Sequence, residues 1–161
     1  MRFLILFALA VAIVTLALII AGQAGLLKGK MPDDVGIKEG KLKRPSRTPN
    51  SVTSQADLWP DHPQLVYSTI SPFKISGDGS AEMKKIADAL LAMPRTVIVQ
   101  QEPTYIYAQS TTALLKFTDD VEFVLDAAKG IIHVRSASRL GQKDFGVNRA
   151  RIEAVRSALG Q

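Results

Sequence analysis

The stretch that most limits the fold runs from Val121 to Arg135, VEFVLDAAKGIIHVR. Val121, Phe123 and Leu125 alternate with Glu122, Val124 and Asp126. After Ala127–Gly130, Ile132 and Val134 alternate with Ile131, His133 and Arg135. A period of two marks a half-buried strand, so two such runs across a four-residue break predict an antiparallel hairpin. The loop length pairs Asp126 with Ile131, Leu125 with Ile132, Val124 with His133, Phe123 with Val134 and Glu122 with Arg135. That register keeps the apolar set on one face, whereas a one-residue slip would turn one strand's set outward. Continued away from the turn, the ribbon brings Asp119 and Asp120 close to Ser138 and Arg139.

The remaining elements follow from shorter signals. Ser80, with Glu82 in the first turn, reads as the N-cap of a helix whose stripe is Met83, Ile86, Ala87, Leu90 and Leu91, closed by Pro94. Thr96–Gln100, Thr104–Gln109 and Ala113–Phe117 read as strands, and Gln64–Ile70 as a short strand beyond the irregular Leu58–Pro63. A last helix, capped by Asp144 or Asn148, buries Ile152, Val155 and Leu159 and stops at Gly160, with Arg149 and Glu153 spaced to pair on its surface. The order predicts an α+β domain: an antiparallel sheet of about four to six strands with two helices on one face.

Ahead of this domain lies a different kind of sequence. Phe3–Gly22 is a run of twenty residues without charge, and at 1.5 Å per residue it matches the ~30 Å hydrocarbon core. A cleaved signal peptide, with Gly22 and Ala24 before the cut, is the rival. Signal apolar regions run only ~7–15 residues, so one retained N-terminal transmembrane helix is expected. The expected division is 1–22 anchor, 23–47 basic Gly/Pro/Lys linker, and 48–161 domain. The linker carries seven basic against three acidic residues, while 51–161 balances twelve against twelve. The excess of positive charge therefore sits beside the apolar run, where it suits anionic lipid headgroups. Nucleic acid is not expected, since the aromatics do not interleave with the basic residues. The short Met-Arg tail favours a single-pass inner (cytoplasmic) membrane protein with its domain on the exported, periplasmic side. The lysines after the run pull the other way.

Three blocks, PNSVTSQ (Pro49–Gln55), FTDDVEF (Phe117–Phe123) and RSASRLGQKDFGVNRARIE (Arg135–Glu153), resemble in order those of the domain-of-unknown-function family DUF1499. The resemblance spans about Pro49 to Leu159. It implies a membrane or export segment ahead of the domain and carries no established activity. The family's recurring polar positions would fall here on Asn50, Ser51, Ser54, Asp119, Asp120, Glu122, Arg135, Ser136, Ser138, Arg139, Gly141, Asp144, Asn148 and Arg149.

The chemistry is bounded more by exclusion than by motif. There is no cysteine, which removes thiolate metal sites and cysteine nucleophiles. No HExxH, GxGxxG, Walker or Gly-x-Ser-x-Gly pattern occurs. No catalytic residue, metal centre or cofactor is expected. The charged residues allow three readings. In the first, Arg135, Arg139, Asn148 and Arg149, with Ser136 and Ser138, form an anion site for a small molecule or lipid, since arginine's planar fork suits carboxylate and phosphate. In the second, the same arginines and the acidic cluster Asp119, Asp120 and Glu122 form an ion-pair lattice in a purely structural or interaction domain. In the third, least favoured, the acids bind a divalent cation in a metal-dependent hydrolase. There Asp120 and Glu122 would share a strand face while Asp119 points away. The expected function is a membrane-anchored, non-enzymatic binding or accessory module of the cell envelope. The sequence identifies no protein partner.

Overall fold

The computed structural model describes residues 1–161. Helix α1 is Arg2–Gln23, followed in order by β1 Ser51–Thr53, α2 Leu65–Ser68, β2 Phe73–Lys74, α3 Gly79–Ala92, β3 Thr96–Glu102, β4 Tyr105–Thr111, β5 Thr118–Asp126, β6 Ile131–Ser138 and α4 Val147–Ala158. The strands form one antiparallel six-stranded sheet of order β1-β6-β5-β4-β3, with β2 also pairing β6. The central hairpin has the register that alternation predicts, from Asp126↔Ile131 through Glu122↔Arg135 to Asp119↔Ser138.

Helices α3 and α4 pack on one face. Met83, Ile86 and Leu90 of α3 and Ile152 and Val155 of α4 meet Ile106, Val121, Phe123, Ile132 and Val134 of the sheet in a single buried cluster. Fully burying side chains of this size contributes roughly 1.5–3 kcal/mol each, so this layer holds the fold. Phe73 and Phe123 touch edge to face at 5.6 Å, a favoured aromatic geometry.

The opposite, outer face is covered over its central strands, while β3 at the edge stays largely exposed. Leu42 is buried on it with Tyr105, Tyr107 and Val124. The segment that carries Leu42, within the expected linker, is tied to the domain by three contacts: Gly36 N donates to Glu122 Oε1 at 2.7 Å, Leu42 N donates to Gln55 Oε1 at 2.8 Å, and Ser46 N donates to Ser51 Oγ at 2.8 Å, while Lys43 and Asp34 pair within it at 2.5 Å. Residues 34–46 thus form a strap across the sheet.

Several local expectations are corrected. Gln64–Ile70 is not a strand. Its centre is the one-turn helix α2, because β1 and β2 already occupy the edge of β6 and the chain between them must bulge away. Ala113–Phe117 lies in the turn joining β4 to β5, closed by Thr112 N donating to Phe117 O. Thr111 already pairs with Thr118, so residues 112–117 must reverse the chain. The cap of α3 is Asp78, whose carboxylate accepts from Ser80 N at 3.0 Å. Arg149 does not pair with Glu153, which binds Arg156 instead. The Arg149 guanidinium donates to the carbonyls of Tyr67 and Thr69, two groups at the C-terminal end of α2 that lack helical donors.

Candidate functional site

Alternation sends neighbouring residues of β5 and β6 to opposite faces, and two separate polar clusters result. On the helix face, Asp119 accepts from Arg151 at 2.5 Å. Arg151 also donates to Ser136 Oγ and Asn148 Oδ1. Asn148 is completely buried at the start of α4. Its two amide N–H groups are shared among Asn50 O, Ser138 Oγ and Asp144 Oδ2, and its oxygen accepts from Ser136 Oγ at 2.6 Å. Asp144 caps the helix from outside, accepting from Gly146 N and Asn148 N and from the Tyr67 hydroxyl. Burial works against its ionisation, but those donors outweigh it and hold the Asp144 carboxyl below its ordinary pKa. Every charged group here has a partner within the protein, and the cluster locks α4, the β6 end and the 48–50 turn together.

The outer-face cluster is different. Asp120 receives a two-pronged guanidinium from Arg139, with Nη2 at 2.7 Å and Nε at 3.0 Å, and the Tyr107 hydroxyl at 2.6 Å. This pairing holds the Arg139 guanidinium above its usual pKa. Glu122 is wholly buried and accepts from Tyr105 Oη at 2.9 Å and from Gly36 N of the strap. Burial, reinforced by the Glu122 carboxylate, pushes the Tyr105 hydroxyl pKa up.

Arg135 faces Glu122, but only at 3.5 Å. It is 3% exposed, and its Nε has no partner. Burial pulls its pKa down, against the attraction of Glu122 and Asp120. A guanidinium this desolvated ordinarily has its donors filled. Asn50 Oδ1 is a second buried polar atom with no partner. Both residues line one cavity of about 420 Å³ between the sheet and the 30–34 and 43–48 segments, with Lys30, Lys43, Asp120 and Arg139 also on its wall.

The six residues expected to share an anion site therefore occupy three places. Arg135 and Arg139 stand together at the outer cavity. Ser136 and Asn148 lie behind the sheet, with Ser138 bonded to Asn148 there and also edging the cavity. Arg149 is spent on the α2 carbonyls. Of the acidic cluster, Asp120 and Glu122 share the outer face, and Asp119 is on the other. Tyr105, Tyr107 and the strap were not anticipated. Tyr105 and Tyr107 alternate in TYIYAQ, and two phenols on one strand face are a readable sign of a face both apolar and polar. The strap has no such signal, being fixed by backbone N–H groups and one leucine.

No curated protein matches the chain. The model of a protein family of unknown function, DUF1499, matches residues 41–159, a span that takes in the whole sheet, both packed helices and the outer strap from Lys41 onward. On that match the chain belongs to the DUF1499 family.

Proposed function

We propose that this chain is a membrane-anchored, non-enzymatic binding module of the cell envelope whose outer sheet face takes an anionic group. On this reading residues 1–22 are the anchor, 48–161 are the domain, and the 23–47 segment walls the site. The domain lies on the exported side of the inner membrane. The observation that carries the reading is the buried, unpartnered Nε of Arg135, a residue that lines one polar cavity together with Asn50, whose Oδ1 is also without a partner. Leaving a buried donor or acceptor unpaired costs about 1–3 kcal/mol. A carboxylate or phosphate accepting from Arg135, with a hydroxyl or amine donating to Asn50, would remove both costs. Arg139 and Lys43 stand at the same wall, each paired with a carboxylate, Asp120 and Asp34.

The ion-pair lattice is the second reading, and Asp120–Arg139 and Asp119–Arg151 favour it. It gives Arg135 Nε no role. Thermal unfolding of the full chain in neutral detergent separates the two. Inorganic phosphate, succinate or short-chain phosphatidylglycerol is expected to raise the Tm, and Arg135→Met is expected to abolish the rise. A Tm indifferent to all three at high concentration leaves only the lattice. Protease treatment of spheroplasts tests the side of the membrane: a domain that survives intact is cytoplasmic.

A further inference from the structure

We infer that one end of the sheet, the end bearing Leu114, Leu140 and Phe145, rests directly on the bilayer that α1 enters. The inference builds on the membrane-anchored part of the reading above and is independent of the anion site.

The geometry begins where α1 meets the domain. Along its hydropathic core α1 is wholly exposed, and only its last turn touches anything. Gly22 is buried there, and a Cβ on it would come within 2.6–2.8 Å of the Leu115 backbone. Gln23 Nε2 then donates to Leu114 O at 2.9 Å. The helix therefore projects away from the domain at the β4–β5 turn. Its apolar run is just long enough to fill the ~30 Å hydrocarbon layer, which leaves Gln23 at the interface. Leu114, one hydrogen bond away, must lie at the same level. No spacer separates membrane and domain.

The other loops at this end agree. Arg139 N donates to Thr118 O, so the β6–α4 loop begins beside the β4–β5 turn. That loop carries Leu140 and, at a left-handed position with φ 52°, Phe145, which is 93% exposed. Leu114 is 62% exposed. Lys116 and Lys143 lie on these same two loops, and Lys28 follows the end of α1. Apolar tips framed by lysines match a bilayer with anionic headgroups. The far end of the sheet, at the β5–β6 turn, ends in Asp126 and Lys129 instead.

The test is depth-dependent quenching. The full chain carries a single tryptophan, Trp59, so a Trp59→Phe background accepts one reporter at a time: Phe145→Trp, Leu114→Trp or, as control, Lys129→Trp. Each is reconstituted in phosphatidylcholine–phosphatidylglycerol vesicles with and without brominated acyl chains. Strong quenching at positions 145 and 114 and little at 129 is the expected result. Equal quenching at all three, or none while the chain resists alkaline extraction, overturns the inference and leaves the anchor standing. Shielding of position 145 from both bromine and aqueous iodide points to a covering protein copy and also overturns it. Loss of the chain from the vesicles on alkaline washing removes the anchor reading and this inference with it.

Discussion

At the scale of single residues, Asn148 does the most for the helix-face cluster, since one buried amide serves Ser136, Ser138, Asn50, Asp144 and Arg151. Asn148→Ala removes those partners at once and leaves several without replacement. It is expected to lower stability by about 2–4 kcal/mol, read by denaturant unfolding of the full chain in neutral detergent. A loss below about half a kcal/mol, the size of an ordinary surface change, would refute the role. Asp144 makes a pH prediction from the same cluster. Its folded pKa is depressed, so the unfolded chain binds the proton more readily. Its contribution to stability is then complete above the unfolded carboxylate value of about 4 and is lost as pH falls through the lower folded value. Acid titration of stability is expected to flatten in Asp144→Asn, and an unchanged acid limb would count against it. His133 has the same sign for a different reason. Burial, with Lys129 nearby, lowers its pKa, so stability tied to it is present above about pH 6.5 and declines as pH falls towards the folded value.

At the scale of elements, the hairpin of β5 and β6 is held twice: by its apolar face in the core and by Glu122 opposite Arg135 on the outer face. Removing one member of a buried pair strands the other, at about 3–5 kcal/mol. Glu122→Gln and Arg135→Met are each expected to destabilise by that order. The double variant should lose far less than the sum, giving a coupling energy of up to ~3 kcal/mol. Additive losses would mean that the 3.5 Å contact contributes nothing and that each residue acts through other partners, Tyr105 and the strap for Glu122. The α4 arginines act between elements as well. Arg149 and Arg156 bind the backbone carbonyls of the 67–72 segment, and Arg156 also lies over the Phe73 ring at 4.3 Å. They staple an irregular crossing that has little regular pairing of its own.

At the scale of the molecule, the decisive feature is the seat of α1 on the β4–β5 turn. Any side chain at position 22 meets backbone atoms of Leu115 that cannot swing aside. Gly22→Val is expected to lift the turn off the helix end. A nitroxide on Leu114→Cys, introduced into a chain that has no cysteine, should then become distinctly more mobile by electron paramagnetic resonance. An unchanged spectrum would show that helix and domain are coupled some other way. The strap over the outer face is the second global feature, since it turns a sheet surface into a covered cavity and brings Lys43 and Asp34 to its wall.

The hairpin register, the α+β class, the two core helices and a helix long enough for a bilayer were all legible in the amino-acid sequence. The reason is that each rests on local periodicity: a period of two or 3.6 and a loop length settle which residues share a face. The same alternation separates Arg135 from Ser136, so the division of the expected site between two faces was implicit in it. What covers each face was not. Only the tertiary structure decided that Arg149 would serve the α2 carbonyls, that Arg151 would take Asp119, and that residues 34–46 would lie over Tyr105 and Glu122. Those contacts join residues roughly 30 to 90 positions apart, where the outcome depends on which group a folded path brings within hydrogen-bond reach, and no spacing along the chain encodes that distance.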